Sequence, residues 1–160
     1  MPFLSIQELI NLIEMRQMKD SVFIDTNIIL YSYSQTEIEK ATIANRLIFE
    51  DQNCVISSQV INETINILYK KYKLQSEQIE DVILELDNSF KICSFSIKTQ
   101  VKALRIKEKY KYQYYDSLII ATAIESGCSV LYSEDMQHNQ NIENKLLIVN
   151  PFEKEEQPNA

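Results

Sequence analysis

Val22-Phe23-Ile24 is an unbroken apolar triplet that ends abruptly in Asp25-Thr26-Asn27, and the same form recurs along the chain. Cys54-Val55-Ile56, Ile92-Cys93-Ser94-Phe95, Ser129-Val130-Leu131-Tyr132 and Leu146 to Val149 are equally short and equally rich in strand formers. Continuous apolar runs of this length, without alternation, fit strands buried on both faces. The segments between them read as helices. Ser5 and Glu8 make a capping-box pattern ahead of Leu9, Ile10, Leu12 and Ile13, which predicts a short amphipathic helix to about Lys19. Ile28 to Tyr33 starts another, and a third runs from about Glu37 to Glu50 with Ile38, Ala41, Leu47 and Ile48 turned inward. Ser57-Ser58 caps a helix to Lys71 or Tyr72, and Ser76 caps the next, through Asn88. A long basic helix is expected from Ser96 to about Tyr110, then a Tyr-rich turn. A strongly apolar helix follows from Asp116 to Ser126, with Gly127 in the position that favours a left-handed residue.

Strands alternating with helices predict one α/β domain: a mostly parallel central sheet flanked by helices on both faces. The expected division is a helical extension over 1–20, the domain over 21–152, and an acidic, frayed tail over 153–160. No internal repeat or linker interrupts it.

Composition narrows the chemistry. The 160 residues contain one glycine, Gly127, where average usage would give roughly 11. Glycine-rich phosphate loops are therefore excluded. The single histidine, His138, excludes Cys2His2 and three-histidine zinc sites and reads as a loop residue. Cys54, Cys93 and Cys128 are odd in number, far apart and beside apolar runs, so they are expected to be reduced core residues. No apolar run approaches the ~20 residues of a membrane span. The reading is a cytoplasmic protein with no membrane partner. The net charge of −7, from 16 basic and 23 acidic side chains, argues against binding nucleic acid by bulk positive charge. It is compatible with an acidic site that takes cations.

In an open parallel sheet, ligands bind outside the carboxyl ends of the strands. Asp25 follows the first strand, Asp135 lies just past the fourth, Glu63 is about one turn into the helix after the second, and Asp116 opens the helix leading into the fourth. Four carboxylates from distant stretches could converge there. Such a cluster is tolerable mainly with a cation in it, and all-oxygen ligands select hard ions such as Mg²⁺ or Mn²⁺. Thr26, Asn27 and Ser133 are short polar neighbours able to orient the acids. Each acid alone has a plain structural explanation, as a helix cap, a solvated helix position or a loop residue. The joint pattern carries the weight.

At these residues the sequence resembles the PIN domain family. Ile24-Asp25-Thr26-Asn27-Ile28 is similar to the family's opening motif, and Ser57-Ser58-Gln59-Val60-Ile61-Asn62-Glu63 to its second acidic motif. Tyr115-Asp116-Ser117-Leu118-Ile119-Ile120-Ala121-Thr122-Ala123 resembles the third, Leu131-Tyr132-Ser133-Glu134-Asp135 the fourth, and Asn150-Pro151-Phe152 a usual ending. The resemblance implies a Mg²⁺- or Mn²⁺-dependent ribonuclease that cleaves RNA through activated water. Asp25, Glu63, Asp116 and Asp135 would be its metal-binding acids and Ser133 the accompanying hydroxyl. Among single-domain members of this size it implies a VapC-like toxin, neutralised by an antitoxin protein and often a homodimer. Some 20 residues with their own helix precede the first strand here.

Lys102, Arg105, Lys109 and Lys111, with tyrosines following, are candidate RNA-binding residues, since basic side chains interleaved with aromatics can track a phosphate backbone and stack bases. Two other enzyme readings fail. An aspartyl-phosphate phosphatase needs a second Asp two positions after Asp25, where Asn27 stands. A phospho-receiver domain needs a Lys at the end of a late strand, where Pro151 follows Val149-Asn150. The alternative left standing is a catalytically silent module of the same fold that binds RNA or a protein.

Overall fold

The computed structural model describes residues 4–17, 20–50 and 53–154. The chain runs α1 (Ile6–Gln17), β1 (Ser21–Ile24), α2 (Thr26–Ser32), α3 (Ile38–Glu50), β2 (Cys54–Ser57), α4 (Ser58–Lys70), α5 (Ser76–Ser89) and β3 (Lys91–Cys93). It continues through α6 (Ile97–Tyr110), α7 (Tyr114–Glu125), β4 (Cys128–Tyr132), β5 (Asn141–Ile142) and β6 (Leu146–Val149). The six strands form one sheet in the order β3-β2-β1-β4-β6-β5. All neighbours are parallel except β5, which runs antiparallel to β6.

This order fixes the layers. Crossovers between parallel strands are right-handed. The steps β1→β2→β3 move one way across the sheet, so α2 to α5 cover one face. The step β3→β4 returns past β2 and β1, so α6 and α7 cover the other. The core lies between: Phe23, Ile24, Ile56, Leu131 and Ile148 from the strands are fully buried. From Ser117 to Ala123 every residue of α7 is buried, which explains why that segment reads as apolar all round. Gly127, φ 76°, closes α7 in the left-handed conformation. A methyl group there would meet open space, so Gly127→Ala tests the backbone alone. It is expected to cost about 1–2 kcal/mol, read as a lower urea midpoint with unchanged slope.

Several boundaries differ from the sequence reading. The helix before β3 takes Gln75 rather than Ser76 as its N-cap, with the Gln75 N–H donating to Gln78 Oε1 at 3.0 Å. Ile38 is exposed at the first position of α3, whose buried residues are Ala41 and Ala44. The Tyr-rich segment enters α7 early, so Asp116 is its third residue. The two-residue β5 was not anticipated; Ile142 alone anchors it in the core.

The Ser5–Glu8 capping box forms, with Ser5 N–H donating to Glu8 Oε2 at 2.7 Å and Glu8 N–H to Ser5 Oγ at 3.2 Å. Leu4, Ile6, Leu9 and Ile10 around it are exposed. The expected end of that helix at Lys19 and the tail beyond Lys154 lie outside the described residues. Of the three cysteines, Cys54 and Cys128 are buried and Cys93 is half-buried. Burial pushes the Cys128 thiol up to about 12. His138 sits in the loop between β4 and β5, its Nδ1 accepting from the Asn150 N–H at 3.0 Å. Among the described residues no helix is long and apolar enough to cross a membrane.

Candidate active site

β1 and β4 meet where the strand order reverses, the place where open α/β sheets leave a crevice at their carboxyl edge. The hydrogen-bond ladder runs one residue past each strand. Asp25 N–H donates to Tyr132 O at 3.1 Å, and Ser133 N–H donates to Val149 O at 3.0 Å. Asp25 and Ser133 are thereby set side by side. Ser133 Oγ donates to Asp25 Oδ2 at 2.8 Å, and Thr26 N–H donates to Oδ1 at 2.7 Å. Asp25 is also the N-cap of α2, so cap and candidate site residue are the same side chain.

Glu63 reaches the crevice from α4. Its Oε2 accepts from Thr26 Oγ1 at 2.7 Å and its Oε1 from Gln59 Nε2 at 2.9 Å. Asp116 stands in the first turn of α7, where the helix N-terminus favours negative charge. Asn27 donates to Asp135 from across the pocket. Next to Asp135, Glu134 is paired with Lys40. The Lys40 ammonium lies 4.5 Å from the Tyr31 ring centroid and 5.3 Å from that of Phe152. This clamp ties the loop after β4 to the segment that follows β6.

Asp25, Glu63, Asp116 and Asp135 line one pocket of about 250 Å³, together with Thr26, Asn27, Asn66 and Ile67. Among the described residues no lysine, arginine or histidine lines it. Burial pushes the Asp25 carboxyl up to about 6 against the pull of its Ser133 and Thr26 donors, and Glu63 and Asp116 push the same way. The Asp116 carboxyl is also raised, by burial first and then by Asp135 and Glu63. The four acids thus share one electrostatic field.

The donor set fits a hard divalent cation: oxygen only, net negative, with hydrogen bonds that orient Asp25 and Glu63 from behind. Among the described residues no three of these side chains are already gathered round one point.

Sequence reasoning missed Gln59 and Asn66. Gln59 is buried and its Nε2 bridges Glu63 to the Tyr115 carbonyl at 3.2 Å, linking α4 to the start of α7 beside Asp116. The signal that could have found it was its spacing, one turn before Glu63 on the same helix. The four candidate RNA-binding residues do not line the pocket. Lys102 and Arg105 lie along a separate groove, Lys109 pairs with Glu143 at 3.3 Å, and Lys111 ends α6 with φ 64°.

Ser133→Ala removes a buried donor from a buried carboxylate. It is expected to destabilise the protein by roughly 1.5–3 kcal/mol at pH 8, measured by urea unfolding.

The model of the PIN domain family matches residues 22–141. No curated protein matches the chain. Among solved structures, one chain of a toxin–antitoxin complex from Klebsiella pneumoniae is 22% identical with a TM-score of 0.65, over 84% of this chain and 100% of that one. VapC20 of Mycobacterium tuberculosis, described as a sarcin-ricin loop cleaving toxin, is 17% identical with a TM-score of 0.59, over 72% and 90%. VapBC2 from Rickettsia felis, bound to a promoter DNA fragment, gives 20% identity and a TM-score of 0.56, over 79% and 96%. At these identities the likeness is one of fold.

Proposed function

The chain belongs to the PIN domain family, and on that premise we propose that it is an endoribonuclease that takes Mg²⁺ or Mn²⁺ in its acidic pocket. The observation that carries the reading is the pocket itself, which four carboxylates from four separate stretches line with no cationic side chain among the described residues. Asp25 and Asp116 are the central ligands in this reading, with Glu63 and Asp135 completing the set. Such an ion, when bound, neutralises charge on a phosphodiester and acidifies a water for attack on phosphorus.

The chain's own groups prepare the site. Ser133 and Thr26 fix the Asp25 carboxylate, Thr26 and Gln59 fix that of Glu63, and Asn27 fixes that of Asp135. With both Asp25 and Asp116 raised in pKa, the metal-free pocket resists full ionisation, so the acids and a divalent ion stabilise each other. The biological role proposed is that of a toxin held in check by an antitoxin protein, with the toxin a homodimer. The similarity to chains from toxin–antitoxin complexes supports the antitoxin partner.

The test is incubation of a mixed RNA panel with the purified protein in Mg²⁺, Mn²⁺ or EDTA. Cleavage with either metal and none in EDTA is expected. Intact RNA after incubation with folded, metal-loaded protein would favour the silent binding module instead.

A further inference from the structure

A groove of about 650 Å³ along α6 gathers charge of the opposite sign to the acidic pocket. Lys98, Lys102 and Arg105 recur at i, i+4 and i+7, which sets them on one side of the helix over roughly 10 Å. Lys145, from the turn between β5 and β6, lines the same groove. Two carboxylates line it as well, and both are engaged: Thr99 Oγ1 donates to Glu125 Oε2 at 2.6 Å, and Lys109 pairs with Glu143. Among the described residues none of the four groove cations has an ion-pair partner. In a chain of net charge −7, that is a polarity which the composition hides.

The groove is distinct from the acidic pocket. Ile142 pairs with Leu146 at the amino end of β6, so the turn that carries Glu143 and Lys145 lies at that end. Glu125 ends α7 just before β4 begins there. The acids lie at the carboxyl end, and Asp116 and Glu125 are nine residues apart on α7, about 14 Å. A row of free cations along an open groove suits a ligand with regularly repeated negative charge, and a nucleic-acid strand carries one on every nucleotide. The pocket, itself negative, offers phosphates little hold.

We infer that the α6 groove is a second RNA contact, in which Lys98, Lys102, Arg105 and Lys145 hold the phosphate backbone of a segment remote from the bond cut. The substrate is then an RNA long enough to reach both ends of the sheet. Only the identity of the polyanion rests on the ribonuclease reading above.

The experiment uses the full chain carrying Asp116→Asn, in EDTA, so that binding is read without cleavage. Fluorescence anisotropy would follow a long structured RNA and a dinucleotide, too short to span the two sites, across a salt series. Adding Lys98→Gln, Lys102→Gln and Arg105→Gln together is expected to weaken long-RNA binding at least tenfold at low salt. It should lower the slope of log K against log salt by about 2–3, at roughly 0.7–0.9 for each phosphate no longer neutralised, and reduce the preference over the dinucleotide. A matched set at the end of α4, Lys70→Gln, Lys71→Gln and Lys73→Gln, should do neither. Unchanged affinity and slope in the groove variant would overturn the inference, as would equal losses from the α4 set. Polyglutamate that binds the groove while RNA affinity is unaffected by the substitutions would reassign the site to an acidic protein. If no RNA is ever cleaved but the groove variants lose RNA binding, the ribonuclease reading fails and the groove stands. Cleavage with unaltered groove-variant binding has the opposite meaning.

Discussion

Asp116→Asn is expected to abolish RNA cleavage, lowering kcat/KM by at least about a hundredfold. The substitution is close to isosteric, and Asp116 is half-buried in the first turn of α7, so the fold should survive it. What it removes is charge. Four carboxylates line the pocket, and in the proposed chemistry their joint charge is what retains a divalent ion. Losing a ligand takes away several kcal/mol of charge stabilisation at the phosphate, and each 1.36 kcal/mol is tenfold in rate. The comparison is single-turnover cleavage of one RNA by wild type and by Asp116→Asn at equal folded concentration. A surface control, Asp81→Asn on α5, should leave the rate unchanged. Wild-type activity in Asp116→Asn would separate the chemistry from the pocket.

The second large effect is on stability, with the opposite sign. Without divalent ions, Asp25→Asn should make the protein more stable at pH 7.5. The Asp25 carboxyl titrates near 6 in the folded chain against an ordinary value of 3.8, chiefly because it is buried. A group whose folded pKa is raised binds its proton more tightly in the native state. Its contribution is favourable below pH ~4 and is lost as pH rises through ~6. Above that, the ionised buried carboxylate costs the metal-free fold about 3 kcal/mol, at 1.36 kcal/mol per unit. For a domain of this length that corresponds to roughly 6–12 °C in Tm. Asparagine keeps the shape and carries no charge, and the Ser133 hydroxyl can turn to accept from its amide. The gain should appear in EDTA at pH 7.5 and vanish near pH 4. In saturating Mn²⁺ the order should reverse, because wild type alone gains binding energy. Identical melting of the two proteins under all three conditions would mean that the acids do not act as one site.

Much of this architecture was legible because the sequence marks its strands so sharply. Val22-Phe23-Ile24 and Cys54-Val55-Ile56 are apolar throughout, as interior parallel strands must be, and each is paired with a strand on both sides. β5 was invisible for the converse reason: two residues in a polar loop, with Ile142 as the one apolar anchor, carry no period. The start of α7 was misplaced by two residues because tyrosines at a helix entry look like a turn.

The acidic residues could be named in advance from the rule that ligands sit at the carboxyl edge. Their shared field could not, since it depends on Asp25 and Ser133, 108 residues apart, standing in register. Gln59 was missed because an amide one turn from a glutamate is usually solvated; here it is buried and bridges two helices. The basic helix was legible in composition but not in direction. Lys109 is spent on Glu143, 34 residues away, and the groove gains Lys145 from a loop that reads as featureless.

The most direct test of the central claim, that these four carboxylates form one divalent-cation site, is calorimetric titration of Mn²⁺ into the metal-free protein at pH 7.5. Saturable binding that Mg²⁺ displaces is predicted, together with its loss in Asp116→Asn and its retention in Asp81→Asn. Heats no different from buffer dilution in the wild-type protein, or equal binding by Asp116→Asn, would contradict it.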